Sequence, residues 1–460
     1  DKDILIDGAL SASLHLDIPF SSPDVVASGT VTLPGNDVHI ASTKMDFGDA
    51  KGLVSFVNER VTFDNLNAQL LEQPVKLTFT GDKDEQDYVV DLSMNGDWEV
   101  APLLAEFNPK FNQSLSGNAH WQAVLNLRLL PEGFNYKANI TTPLVGLHSS
   151  LPAPFAKADT DELLFNVVSE GNEQASTVQA SLGDDVRFEG VLPYEQMQFS
   201  RAHLALGKSD FVGMGIGFSI SANMDEVDIN EWHNTVDMLI SGFGDSSRTE
   251  TTAKPLFSVP ERIFLNANTV KLAGQSLHQA QITTKQQNNN WVVDINTTEA
   301  RGTVNLFDDW LARGIVIEAD YLQLDNWVAA SEDDESVAKD WDASTLPPIY
   351  FHCNQCSLLE KDLGEVTLDV ARADDGLDIR QFSAISKHGK FNAKGKWIFT
   401  EATNRSALNG TFTSDDVGMM LKSWGVDSGI KDSGADLNAK NEDGDTVLHH
   451  AAQNDDPDVI

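Results

Sequence analysis

The sequence is poor in basic residues and in cysteine. Lys and Arg account for 32 of its 460 residues, against 70 Asp and Glu, and the formal net charge is -38 at pH 7. A field of this sign repels phosphate backbones, so the composition argues against nucleic-acid binding. With two cysteines the chain cannot form a disulfide-dense secreted scaffold, although one bond is feasible.

The sequence also lacks a run of about 18 uncharged apolar residues, which is the length that a membrane-spanning helix needs. It begins at Asp1 within a strand-like segment, without a methionine or a signal segment. We therefore expect the true amino terminus, and any membrane anchor, to lie on a part that this sequence does not contain. Hydrophobic residues make up 41% and charged residues 22%, which excludes wholesale disorder.

Short runs of alternating apolar and polar residues recur along the chain, separated by Gly, Asn, Asp or Pro. This period-two pattern is typical of half-buried antiparallel strands. Three clear runs are Pro74–Gly81, Tyr88–Asn95 and Trp121–Leu129, and the acidic segment between the first two predicts a hairpin. Their apolar sides predict one apolar face of a sheet, formed by Val75, Leu77, Phe79, Tyr88, Val90, Leu92, Trp121, Leu125 and Leu127.

Helical signals are sparse, and units of a strand followed by a tryptophan recur, as in Asn95–Trp98 and Lys394–Trp397. Such recurrence suggests duplication of a hairpin-like module whose neighbours complete its burial. The predicted fold class is therefore all-β, mostly antiparallel and repeat-built, with a few short helices. The helix candidates are Trp98–Phe107, Asp228–Ile240, Leu306–Arg313 and Ser414–Trp424.

Six stretches in order along the chain carry a resemblance to a known family. They are Asn95–Trp98, Leu115–Trp121, Thr142–Lys157, Gly215–Trp232, Asp362–Leu368 and Gly410–Ile430. They resemble the periplasmic part of the YhdP family, in the wider AsmA-like and TamB-like group of bacterial envelope proteins, and the resemblance extends over most of residues 1–432.

The resemblance implies a long twisted sheet curled into an open groove with an apolar lining. It places the protein in the periplasm, tethered to the inner membrane by an amino-terminal helix, and links it to moving phospholipids toward the outer membrane. Phospholipid or another acyl lipid is the expected partner, envelope proteins are further candidate partners, and neither a cofactor nor a catalytic residue is implied.

The residues give a physical reason for the groove. A lipid tail costs about 0.8 kcal/mol for each methylene left in water, so a path across an aqueous compartment needs continuous apolar surface. A sheet with alternating faces can provide it, and the nine apolar residues of the three runs are the candidate lining of the groove that the resemblance implies. The alternative is that the apolar face packs on a second layer, in a structural or adhesive β-sandwich without lipid cargo.

Four segments are predicted from these patterns: a β-groove segment over 1–330, an acidic connector over 331–345, a continuation of the groove with a short helix over 346–433, and a tail over 434–460. The tail resembles a partial ankyrin repeat, through Asp443–Thr446, Leu448-His449 and Ala451-Ala452. A single unit cannot bury its own apolar face, so we expect it to contribute nothing to the main function. An ankyrin-type interaction module is the third functional alternative.

Cys353 and Cys356 form the most conspicuous short motif. A zinc site usually requires two such pairs, and a thioredoxin-like motif would open a helix, whereas Pro347–Phe351 leads in like a strand and a turn follows. We interpret the pair as a local disulfide, with zinc and redox catalysis as the less favoured alternatives. The histidines are scattered, and 70 acidic side chains produce chance pairs, so no catalytic residue and no metal site is predicted.

Overall fold

A computed structural model describes residues 3–20, 25–41, 43–107, 109–209, 215–243, 256–272, 274–288, 290–324, 347–359, 361–373, 376–400, 403–419 and 435–436. Strands dominate these ranges, which confirms the all-β fold class. The predicted connector over 331–345 lies outside the described residues, and so does the ankyrin-like tail apart from two residues. Contacts divide the chain into two units, 1–223 with 230–260 and 224–229 with 261–460.

The first unit is built almost entirely of neighbouring strands paired antiparallel. Strands β3 to β9 pair in chain order, β9 pairs with β11, and β11 to β14 continue the order, whereas β14 and β15 pair in parallel. Both β1 and β2 pair with β3, and β10 pairs with β8. The strands are β1 (Ile4–Asp7), β2 (Ser11–Asp17), β3 (Val26–Ile40), β4 (Met45–Val57), β5 (Arg60–Leu70), β6 (Gln73–Asp84), β7 (Asp87–Glu99), β8 (Leu115–Leu129), β9 (Phe134–Thr142), β10 (Leu147–Ser149), β11 (Phe165–Asn172), β12 (Ala175–Leu182), β13 (Val186–Pro193), β14 (Arg201–Gly207) and, up to residue 223, β15 (Gly217–Asp228).

Strand β3 pairs with β2 before Pro34 and with β1 after it, and its ladder with β4 shifts register next to Pro34. Gly35 has a φ of 138°, a conformation open to glycine and rarely to other residues. The next side chain, Asn36, is buried, and its amide donates hydrogen bonds to the carbonyl oxygens of Asp7 (2.9 Å) and Ala9 (3.2 Å). The bulge therefore places the Asn36 side chain where its hydrogen bonds fix the β1–β2 connection.

The second unit repeats this plan. Strands β16 to β20 pair antiparallel in chain order, β20 and β21 pair in parallel, and β21 to β26 continue antiparallel. These strands are β16 (Arg262–Leu272), β17 (Gln275–Gln287), β18 (Asn290–Asn296), β19 (Ala300–Leu306), β20 (Ile315–Leu324), β21 (Ile349–Leu358), β22 (Lys361–Ala373), β23 (Gly376–Ile385), β24 (Lys390–Thr400), β25 (Thr403–Ser414) and β26 (Ala435–Asp436).

The helices within the described residues are few and short, as predicted. They are α1 (Val100–Phe107), a 3₁₀ helix (Pro109–Gln113), α2 (Ile229–Phe243) and α3 (Trp310–Arg313). Of the helix candidate at Ser414–Trp424, residues 417–419 are helical and the rest lies outside the described residues. None of the helices that the structure describes has the length and apolar character needed to cross a membrane.

The main core of the first unit lies among β3 to β6. Apolar side chains of these four strands pack together, and on β5 and β6 they occupy alternate positions, because a strand turns every second residue to the same face. Each fully buried Val, Leu or Phe side chain contributes about 1.5–3 kcal/mol to the free energy of folding, because its apolar surface is removed from water. The buried members are Leu33, Phe47, Ala50, Leu66, Ala68, Val75 and Leu77.

Candidate functional site

One apolar row crosses the first unit from strand to strand. Its residues lie directly opposite one another on β6 to β9 and β11 to β14, so all point to the same face of the sheet. At 4.7–4.9 Å per strand the row spans about 33 Å. We call it the first apolar row: Leu77, Met94, Ala123, Ile140, Val167, Ala180, Phe188 and Leu204.

A second apolar row runs beside the first on the same face, two residues along each strand. Phe63 and Phe79 stack in it with ring centroids 5.1 Å apart. The row consists of Phe63, Phe79, Leu92, Leu125, Ala138, Ser169, Val178, Gly190, Ala202 and Phe218. The two rows define what we call the apolar face.

The nine residues predicted as groove lining all belong to β6, β7 and β8. Leu77 lies in the first row, and Phe79, Leu92 and Leu125 lie in the second. Val90 and Leu127 are opposite each other in the next row of the same face. Val75, Tyr88 and Trp121 also occupy positions of this face, by the two-residue alternation of their strands.

These nine residues differ in how much surface they present. Val75, at 2% exposure, and Leu77 are buried in the core that they form with side chains of β3 to β5, and Val90 is also buried. The six others are half-buried: Phe79, Tyr88, Leu92, Trp121, Leu125 and Leu127. The six half-buried residues are therefore better candidates for contact with a ligand than the three buried ones.

The three alternating runs predicted the apolar face only as far as β8. Ile140, in the first row, is 42% exposed. Its strand also alternates, with Phe134, Tyr136 and Ala138 on the same side, so a fourth run was there to be found. Membership of Val167 and Phe188 follows only from the register of β11 to β13, which no local pattern reveals.

The opposite face of these strands is polar and carries exposed ion pairs. Arg128 contacts Asp87 at 2.8 Å and Asp84 at 3.1 Å, and Lys137 contacts Glu170 at 2.6 Å. Pairs of this exposure contribute about 0–1 kcal/mol each, so their main effect is to keep this face in water.

Hydroxyl groups lie on the apolar face near the ends of β9, β11 and β13. Tyr136 and Ser169 share a hydrogen bond of 2.7 Å, and the Tyr194 hydroxyl donates to that of Tyr136 at 3.4 Å. Burial, with the hydrogen bond to Tyr136, raises the pKa of Tyr194 to about 12. The phenol is therefore neutral at physiological pH, and the group adds polarity without charge.

A cavity of about 320 Å³ opens on the apolar face, between strands β11 to β13 and the segment 144–163. Its volume is at the lower end of the range found for small-molecule sites. Apart from two serines and Lys157, its wall is apolar. Phe188 forms part of this wall and is also a member of an aromatic cluster with Phe199 and Phe257, at centroid distances of 5.0–5.7 Å.

The second unit contains the cysteine pair. A disulfide joins Cys353 and Cys356, with the Cα atoms 6.0 Å apart. Both residues lie within strand β21, where the ladder with β22 bulges between them, so the motif is not a strand followed by a turn. The bond is buried against Ala319 and Val366. The described residues hold no group of three or more His, Cys, Asp or Glu side chains arranged for a metal ion.

Comparison with known proteins bears on this architecture. The family described as YhdP protein matches residues 2–459. The chain belongs to the YhdP family. The match runs through the ankyrin-like segment, which is therefore part of the region aligned with the YhdP family.

One relative is the intermembrane phospholipid transporter YhdP of Escherichia coli (strain K12), which is 23% identical over 444 residues. The aligned region covers 94% of this chain and 34% of that protein, so the chain spans about a third of the length of this YhdP relative. No solved structure matches the chain.

Proposed function

We propose that this chain carries the acyl chains of phospholipid along the apolar face of its first unit, as a segment of an intermembrane lipid transporter. The observation that carries the proposal is the first apolar row, which crosses eight strands without a charged or polar residue. A relative over most of the chain is named as an intermembrane phospholipid transporter, and that name describes a transporter, not an enzyme.

The physical requirement is continuity. Each methylene in water costs about 0.8 kcal/mol, so an interruption of a few methylenes raises a barrier that slows movement along the face. Half-buried apolar side chains such as Leu125 and Ile140 offer such surface at successive strands. The polar face of the same strands stays hydrated through its ion pairs.

The exposure of Ile140 favours this function over a lipid-free sandwich. A packed sandwich core would bury a residue in the middle of the row, whereas Ile140 keeps 42% of its surface exposed. In addition, the strands that carry the row, β6 to β9 and β11 to β14, are hydrogen-bonded neighbours within one sheet.

In the same proposal the protein stands in the periplasm, where transport of phospholipid between two membranes requires it. An amino-terminal helix holds it to the inner membrane, as the family resemblance implies, and envelope proteins meet it at its ends.

Lipid analysis tests the proposal. The 460-residue chain is expressed in a bacterial periplasm, purified, and examined by native mass spectrometry and by thin-layer analysis of extracted lipid. We expect phospholipid to co-purify, and delipidated protein to take up labelled phospholipid from vesicles. A lipid-free preparation that also takes up nothing from vesicles would contradict the proposal.

A further inference from the structure

Lys157 is a buried lysine in an apolar cavity. Its exposure is 7%, and it forms part of the wall of the cavity described above together with Leu147, Leu151 and Phe155. The backbone of Lys157 is fixed by two hydrogen bonds with Ser149, at 2.9 and 3.0 Å. The position of this side chain is therefore determined by the fold.

The ammonium group lacks a negative partner. Its Nζ donates to the carbonyl oxygens of Leu147 (2.9 Å) and Ala158 (2.7 Å), both neutral acceptors. Within the described part of the chain no carboxylate lies within ion-pair distance of it, and Lys157 is the one charged residue in the cavity wall. An ammonium has three donors, and buried charges are usually paired because an isolated one is costly.

We propose that Lys157 binds the anionic group of an amphiphile whose acyl chain occupies the apolar cavity. The inference rests on the proposed function and deepens it by naming a headgroup contact. A phosphate or carboxylate oxygen would accept the third N–H and supply the missing negative charge. Ser149 of strand β10 lies in the same wall.

The cavity joins this contact to the transport surface. Phe165, Leu182 and Val186 of its wall lie opposite one another, two residues along from Val167, Ala180 and Phe188 of the first apolar row. An acyl chain held at Lys157 by its head therefore lies on the same face that carries acyl chains elsewhere in the unit. The cavity is a place where a lipid is held in a defined orientation.

The test compares ligands of one chain length on the full chain. Dissociation constants of dodecyl phosphate, 1-dodecanol and inorganic phosphate are measured by isothermal titration calorimetry. We expect dodecyl phosphate to bind about tenfold more tightly than dodecanol, the size expected of a charge-assisted hydrogen bond. Lys157→Gln removes this preference and leaves dodecanol unchanged. The control Lys137→Gln, at an exposed lysine paired with Glu170, alters neither affinity.

Several outcomes would overturn the inference. Equal affinity of the wild-type chain for dodecyl phosphate and dodecanol does so without any variant, and therefore holds even if Lys157→Gln fails to fold. An equal loss of both affinities in Lys157→Gln shows that the lysine only supports the segment. Inorganic phosphate that binds as tightly as dodecyl phosphate indicates a free-anion site. If dodecanol binds as tightly as dodecyl phosphate, only the role of Lys157 is contradicted. If neither amphiphile binds, the result contradicts the proposed function as well.

Discussion

Ile140 offers a sharp test of the apolar face, because the same sheet provides a matched control. Ile140 on β9 and Val124 on β8 are both β-branched and both 42% exposed. Val124 lies opposite Asn139, and Ile140 lies opposite Ala123, so the two side chains point to opposite faces of the sheet. We expect Asp at either position to lower the free energy of unfolding by a similar amount.

Only Ile140→Asp places a carboxylate in the proposed lipid path. If the charged group denies the acyl chain contact with about two methylenes, the loss is about 1.6 kcal/mol, which corresponds to about a 15-fold weaker affinity. Val124→Asp adds its charge to the hydrated face and leaves affinity unchanged.

The assay is uptake of labelled phospholipid from vesicles by delipidated protein, with thermal unfolding of each variant measured in parallel. We expect weaker uptake by Ile140→Asp with an unfolding temperature close to that of Val124→Asp. Equal uptake by the two variants would refute the assignment of this face. A loss of uptake confined to Val124→Asp would place the lipid on the opposite side of the sheet.

Three further predictions concern stability. Leu77→Ala removes a buried side chain from the core and lowers the free energy of unfolding by about 2–5 kcal/mol, measured by chemical denaturation. A loss below about 1 kcal/mol would contradict the burial of Leu77 in that core. Burial raises the pKa of Glu299, but hydrogen bonds from the backbone and ring of His278 lower it more, so the net pKa lies below the model-peptide value of 4.5. Its stabilisation is therefore present above that value and lost as the pH falls through the folded pKa. Glu299→Gln lowers the free energy of unfolding by about 1.5 kcal/mol at pH 7, and the difference from wild type narrows as the pH falls below 4.5. A double alanine variant of Cys353 and Cys356 loses about 2 kcal/mol, as expected for so short a loop, and two free thiols in the mass spectrum of unreduced wild-type protein would contradict the bond.

Local patterns were enough to predict the strands. The alternation of Val75, Leu77 and Phe79 predicts both a strand and its buried side, because side-chain direction in a strand depends only on sequence parity. The hairpin of β6 and β7 was predictable as well, because an acidic turn joins the two runs. The helices were less predictable at their bounds: the candidate Leu306–Arg313 shortens to α3, Trp310–Arg313, because β19 continues to Leu306.

The degree of burial was not predictable from these patterns. Val75 and Leu125 have the same alternating context, yet the first is fully buried and the second half-buried, because Val75 packs in the core with side chains of β3 to β5 and Leu125 lies outside that core. Such packing depends on segments about forty residues away in the chain. The bulge that places both cysteines within β21 is likewise a property of the ladder with β22.

The sequence by itself determined the fold class and the strands that carry apolar side chains, since both depend on neighbours one or two residues apart. Tertiary structure alone decided which of these side chains line up into a row from Leu77 to Leu204, because strand register sets that alignment. It also decided that Lys157, an ordinary lysine in the printed sequence, is buried in an apolar cavity without a negative partner among the described residues, since the wall around it comes from strands and loops distant in the chain.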